Sequence, residues 1–532
     1  ETIPKGAMMI STGAPRVMNG KVIIGNGGAD FGARGYVTAY DAETGKQLWR
    51  FYTVPGKPED NAGNPALEAA AKTWGPEFWK NTGGGGTVWN GMTFDAAKNR
   101  VYIGVGNAGP YDPKLRDPGS TGDNLYTSSI VALDATTGAY VWHYQETPRD
   151  SWDYKATPNI VMATLNLEGK PRDVLLHMPT NGFFYVLDRE TGKPISAEAA
   201  SLVTWADGID LKTGRPIEKP GIRYETGDIT LWPGTVGGHN WQPMSYSPKT
   251  GLVYVPEQQI GLRMSRGEQR VNDFNVMGLM VGSVVEKPGD GKGSLIAWDP
   301  VAQREVWKVQ HPTLWNGGTL ATAGGLVFQG TADGWFHAYD ARNGSEVWKF
   351  NAGLGIVGAP ISFRAGGKQY ISVLVGYGGT TAAFGDVMNV GWKYGAQPRR
   401  LLTFALNGKA TLPASTPPDM KVHALDDPAL VLNEADVQAG RALSVQCAAC
   451  HGVGLQSTGT PGPDLRESNI ALDLAAMSQV LKQGLLMERG MPRFQNLTDE
   501  QIRQLHAYIR ARAREALGKR EADKAPPPRP NL

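Results

Sequence analysis

The chain has 532 residues, more than one ordinary hydrophobic core supports, so at least two domains are expected. Its 53 Lys and Arg against 51 Asp and Glu leave a net charge of +2, which argues against nucleic acid or an anionic membrane surface as partner. No apolar run approaches the roughly 18 residues of a transmembrane helix.

From residue 1 to about 408 the text consists of short apolar runs between glycine-rich turns, with one phrase recurring. It reads AYDAETGKQLW at 39–49 and ALDATTGAYVW at 132–142, with weaker copies at 297–307, 338–348 and, lacking the tryptophan, at 186–192. Trp307 and Trp348 lie 41 residues apart and Trp49 and Trp142 lie 93 apart, which fits one and two repeats of a propeller blade. The phrase has a physical reading. Asp bonds its own backbone in an Asx turn, Gly takes the positive φ of the hairpin, and the Trp can lie flat between neighbouring blades. The predicted fold is therefore a β-propeller of about six blades. Because the chain opens inside a strand pattern, about two further blades are expected upstream of residue 1.

Residues 409–433, rich in Pro, Asp and Ala and without periodicity, read as a linker. Residues 434–445 and 498–514 read as amphipathic helices of a small all-α domain spanning 434–514, the second opened by a Thr498/Gln501 capping box. A charged, proline-rich stretch at 515–532 is expected to be a flexible tail.

Both cysteines of the chain fall in Cys447-Ala-Ala-Cys450-His451. Two thiols at this spacing can bond the two vinyl groups of a haem, with the adjoining His451 on the iron. The rivals are a redox pair and half a zinc site. Zinc lacks a second ligand pair, and a thioredoxin-like site lacks the surrounding βαβ pattern. A sixth ligand is expected in the loop Gly490-Met491-Pro492, with Met487 and then Met477 as competitors. Haem c is attached outside the bacterial cytoplasm, so a periplasmic location is expected, with the signal peptide lying outside this sequence.

A tryptophan-repeat propeller joined to a haem c domain resembles the type II quinohaemoprotein alcohol dehydrogenases, over nearly the whole chain. The resemblance implies an eight-bladed fold and three cofactors: pyrroloquinoline quinone, calcium and haem c. Gly25–Asp30 resembles the segment that lays backbone on the quinone at Gly28 and Ala29 and offers Asp30 to calcium. Gly83–Trp89 resembles the loop whose tryptophan, here Trp89, stacks on the quinone. Asn107, in Gly104-Val-Gly-Asn107, falls at a calcium ligand, and Asp153, in Asp150-Ser-Trp-Asp153, at the catalytic base that also meets calcium. Asp150 is the rival base. Thr12, Thr180, Asn240 and Trp241 fall at further quinone contacts.

Three departures stand out. Asp30 replaces a family glutamate, Thr180 replaces a lysine or arginine that bonds the quinone oxygens, and the family's adjacent-cysteine disulfide has no counterpart. The implied function is oxidation of a small alcohol with electrons leaving through haem to a soluble acceptor such as a cytochrome or cupredoxin. The alternatives are the catalytic subunit of a membrane-associated alcohol dehydrogenase and a non-catalytic propeller scaffold with an electron-relay haem. The cluster Asp30, Trp89, Asn107 and Asp153 favours the enzyme.

Overall fold

The structure, a computed structural model, describes all residues except 1–10, 81, 225–226, 267–273, 277–278, 377–398, 414–418, 420, 458–459, 461 and 523–532. The chain divides into two compact units.

The first unit comprises Glu1–Thr331, Phe336–Phe350 and Gly358–Val373. Arg16–Met18, Lys21–Gly25, Tyr36–Asp41 and Gln47–Tyr52 pair antiparallel in chain order, and the same up-and-down meander repeats at 92–145 and 161–199. It recurs at 319–351, and Ile361–Ala365 pairs with Lys368–Val375. One meander is interrupted: Leu252–Gln259 pairs directly with Lys292–Asp299, while the residues between them enter a separate sheet with Ile229–Leu231. Among the described residues these are the six expected blades of a β-propeller.

The repeat phrase behaves as its chemistry requires. Asp41 Oδ1 accepts from the amides of Glu43 and Thr44 at 3.2 and 2.8 Å, and Asp134 from those of Thr136 and Thr137 at 3.0 and 2.8 Å. The turn glycines Gly138, Gly192 and Gly344 have φ near 70°. They serve a second purpose, because a Cβ would sit 2.6 Å from Trp49 at Gly138, 2.3 Å from Trp142 at Gly192 and 2.6 Å from Trp307 at Gly344. Trp49, Trp142 and Trp307 thus each lie on the turn of the next repeat, and Trp49 Nε1 donates to the Ala135 carbonyl at 3.3 Å. Docking between blades replaces a single central core.

Short helices at Pro58–Asn61, Pro65–Ala71 and Pro113–Arg116 and the hairpin Ala206–Asp210/Arg215–Glu218 were not expected from the repeat, since they carry no copy of its phrase.

The second unit takes in Ala332–Trp335, Asn351–Val357 and Leu374–Leu532. Its helices are Glu434–Leu443, Val445–His451, Leu474–Gln483 and Asp499–Ala522, around a core that includes Leu455, Met477, Leu481, Ile502 and Leu505. Glu434–Leu443 crosses Asp499–Ala522 closely, since a Cβ on Gly440 would lie 1.9 Å from the Gln504 carbonyl oxygen. The capping box forms, with the Thr498 amide donating to Gln501 Oε1 at 3.0 Å and the Gln501 amide to Thr498 Oγ1 at 3.2 Å. Two expectations need correction. The last helix continues to Ala522, so 515–522 is not a loose tail; residues 523–532 lie outside the described ones. The end of the expected linker is bound: Arg510 donates to the Leu425 carbonyl at 2.7 Å and Arg514 to Asp426 Oδ2 at 2.6 Å. Carbonyls and carboxylates held by arginine leave no hydrophobic period to read; residues 414–418 and 420 of that segment are outside the described ones.

Candidate active site and haem-binding site

In the first unit, three loops meet at the ends of neighbouring blades. Gly84, Gly85 and Gly86 all have positive φ, of 84°, 77° and 64°, a run open to glycine and hostile to other residues. This lets the loop lie flat between its neighbours. The Gly85 amide donates to the Ala33 carbonyl at 3.1 Å, and the Gly86 amide to the Asn107 carbonyl at 2.8 Å. Ala29 belongs to the same cluster, because a Cβ on Gly109 would be 2.8 Å from its carbonyl oxygen. Gly28, at φ 100°, caps the short turn Ala29–Phe31 that carries Asp30. Trp89 ends the glycine loop half-buried, and Gly13 lies so close that a Cβ would be 1.9 Å from the Trp89 carbonyl oxygen, which sets Thr12 beside it. The Trp89 ring has no ring partner and its Nε1 no acceptor among the described residues, so a flat face is left over.

Asp150 and Asp153 differ sharply. Asp150 is fully buried and its Oδ1 accepts from the amides of Trp152 and Tyr154 at 3.1 and 2.9 Å, the geometry of a turn residue. Asp153 has φ 67°, which aspartate tolerates better than most side chains, and its carboxylate keeps 13% exposure. Lys155 Nζ stands 2.8 Å from Asp153 Oδ2 and also donates to the Asp153 carbonyl at 2.9 Å. Burial pushes the Asp153 carboxyl up to about 7; Lys155 opposes this and the charge of Asp30 adds to it. Asp30 accepts from Tyr111 Oη at 3.0 Å.

The oxygens suit a hard cation. Asp30 and Asp153 are two carboxylates that repel each other, a repulsion that a cation between them would remove. The Asn107 side chain is buried, donates to the Ala108 carbonyl at 3.3 Å and receives no donor on its oxygen among the described residues. No three His, Cys, Asp or Glu side chains gather as a metal site among the described residues, so the ion would rest on two carboxylates and amide oxygen.

Two expected quinone contacts are engaged elsewhere. Thr180 is fully buried; its Oγ1 accepts from the Lys155 amide at 2.7 Å and donates to the Lys155 carbonyl at 3.3 Å, so its hydroxyl does not face the site. Asn240 is folded onto its own loop, donating to the Val236 carbonyl at 2.7 Å and accepting from the Trp241 amide at 2.8 Å. Trp241 is half-buried, with its ring 6.3 Å from that of Trp315. Lys155 and Tyr111 were missed in the sequence. The signal for Lys155 was its place two residues after Asp153; for Tyr111 there was none.

In the second unit, Cys447, Cys450 and His451 share the helix Val445–His451, and both thiols are free. Burial, with the neighbouring Cys450, pushes the Cys447 thiol up to about 12. His451 is 4% exposed, and its Nδ1 donates to the Pro463 carbonyl at 2.7 Å. That bond fixes the proton on Nδ1 and leaves Nε2 with its lone pair, buried and without a partner among the described residues. Burial lowers the imidazole pKa and so favours this neutral form. An orphaned, oriented nitrogen beside two free thiols fits haem c. Gly462 makes room, since a Cβ there would meet the Cys450 carbonyl oxygen at 2.6 Å and the His451 ring at 3.1 Å. Met491 packs against the cluster that includes Cys447 and Leu481, whereas Met487 is 57% exposed. Met477 is buried core.

Comparison with known proteins agrees with this division. Residues 2–203 and 291–371 match the family described as glucose/ethanol/alcohol dehydrogenase, beta-propeller domain, and residues 435–509 match cytochrome C oxidase, cbb3-type, subunit III. The chain is 50% identical over 509 residues to quinohemoprotein alcohol dehydrogenase ADH IIB of Pseudomonas putida, covering 94% of this chain and 73% of that one. Against the quinohemoprotein alcohol dehydrogenase of Comamonas testosteroni it is 43% identical, covering 96% and 72%. The solved structure of ADHIIG from Pseudomonas putida HK5 superposes with a TM-score of 0.85 at 42% identity, over 96% of this chain and 76% of that chain. No helix among the described residues is long and apolar enough to cross a membrane. The chain belongs to the quinohemoprotein alcohol dehydrogenase family.

Proposed function

We propose that this chain oxidises small alcohols to aldehydes or ketones, with pyrroloquinoline quinone and calcium in the first unit and haem c in the second. The observation that carries the reading is Asp153, a carboxylate left 13% exposed beside Lys155 while Asp150, three residues earlier, is spent on a turn. When bound, the quinone supplies a two-electron acceptor and the haem a one-electron outlet.

Asp153 is the general base that takes the alcohol's hydroxyl proton. Asp30, Asn107 and Asp153 would hold calcium, and Trp89 would offer the quinone a stacking face, with Thr12, Gly28 and Ala29 around it. Trp152 and Tyr154, on either side of Asp153 in the chain, are fully buried, and Lys155 Nζ holds the Asp153 carboxylate. In the second unit, Cys447 and Cys450 would hold haem c covalently, and His451 Nε2 and the Met491 sulfur would be the ligands offered to its iron. The proposed location is the periplasm, and the acceptor a soluble cytochrome or cupredoxin.

The test is reconstitution with quinone and calcium, followed by stopped-flow reading of haem reduction across a panel of alcohols. Reduction of the haem by at least one alcohol is expected. A protein whose haem dithionite reduces but no alcohol does, at saturating quinone, would refute the reading.

A further inference from the structure

We propose that Lys155 is the cation of the quinone site, supplying from the neighbouring blade loop the positive charge that Thr180 cannot. The inference rests on the quinone reading above. The Thr180 hydroxyl is consumed by the amide and carbonyl of Lys155, at 2.7 and 3.3 Å. This contact fixes the Lys155 main chain, and with it the origin of its side chain. The ammonium then reaches Asp153 Oδ2 at 2.8 Å and the Asp153 carbonyl at 2.9 Å.

The third N–H is the weakly used one, since among the described residues its further acceptor is the Thr235 carbonyl at 3.4 Å, the outer limit of a hydrogen bond. It can turn to a ligand oxygen at little cost. Both side chains of the pair keep a small window, 10% for Lys155 and 13% for Asp153, so neither is fully sealed from outside. Arg116, which also reaches this loop, is committed elsewhere: it is fully buried and donates to the carbonyls of Pro110 and Asp150 and to Asn124 Oδ1. An electron-poor quinone bearing carboxylates and carbonyl oxygens is the ligand class that such a fixed cation recognises, and a charge-assisted hydrogen bond to a carbonyl oxygen strengthens as that oxygen gains electron density.

The experiment uses the full haem-loaded chain freed of quinone and titrated with pyrroloquinoline quinone at fixed calcium, with binding read from tryptophan fluorescence. Lys155→Met, which keeps the length of the stem, is expected to weaken quinone binding on the order of 10- to 100-fold. Lys155→Arg should stay within a few-fold of wild type, and Lys155→Gln, which keeps a polar end without the charge, should weaken binding as Lys155→Met does. Melting temperature and the haem spectrum report whether each variant is folded; should Lys155→Met fail to fold, the comparison of Lys155→Arg with Lys155→Gln carries the test, and equal quinone affinity in those two overturns the proposal. Equal quinone affinity in wild type and Lys155→Met also overturns it. So does a Lys155→Met that tightens calcium while leaving quinone unchanged, which would make Lys155 a stand-in for the metal. A wild-type chain that binds no quinone at all removes the functional reading itself, and the proposal with it.

Discussion

Replacing Asp153 by Asn separates chemistry from architecture. The backbone at φ 67° suits Asn as well as Asp, and Asn Oδ1 can still accept from Lys155 Nζ, now 2.8 Å from the carboxylate. The fold should therefore lose only about 1–3 kcal/mol, the range for a weakened partly buried charged hydrogen bond. An amide cannot take a proton, so turnover should fall on the order of 10²- to 10⁴-fold, the usual contribution of a positioned general base. Asp150→Asn is the matched control. Its Oδ1 would keep the bonds from the amides of Trp152 and Tyr154, while the new NH₂ would replace Oδ2, which is buried without a partner. That change should cost about 1–3 kcal/mol in stability and little in rate. The assay is single-turnover reduction of the haem by alcohol in quinone-loaded protein, with melting temperatures measured alongside. A rate for Asp153→Asn within about threefold of wild type, with Asp150→Asn slowed by orders of magnitude, would reverse the assignment.

Three further outcomes are expected. Since burial and Asp30 raise the Asp153 carboxyl to about 7 against the pull of Lys155, and the base works only when ionised, kcat/KM should rise with pH through about 7 and level off above it; rate profiles at graded calcium should show the limb moving to lower pH as the ion fills, and a flat profile across neutral pH would count against Asp153. Met491→Ala should abolish the sulfur-to-iron charge-transfer band, whereas Met487→Ala, at a position 57% exposed, should leave it intact; the reverse result would move the ligand. Gly440→Ala should destabilise the cytochrome unit by about 1–3 kcal/mol or more, because its Cβ would sit 1.9 Å from a backbone oxygen that cannot swing away; unchanged thermal unfolding followed at the haem would show that the two helices part freely.

How much of this could be read from the sequence depended on whether a residue's role was local. The Asp and Gly of the repeat phrase act within one hairpin, and the tryptophan marks contact with the next, so the propeller was legible from five copies of eleven residues or fewer. Cys447, Cys450 and His451 lie on one short helix and were equally plain, yet the group that orients His451 is the Pro463 carbonyl, and a main-chain acceptor has no letter in the sequence. The inserted sheet joining Ile229–Leu231 to Gly261–Ser265 is held by pairings across about thirty residues, without a phrase to announce it. Thr180 is the sharpest case. Considered alone, it is a lost charge; beside Lys155, 25 residues earlier and bonded to it through main chain and hydroxyl, it becomes the anchor of a charge placed elsewhere. A substitution that removes a cation from a site is therefore interpretable only with the residues that touch its side chain in hand, and in this chain the residue that it touches is a lysine paired with the Asp153 carboxylate.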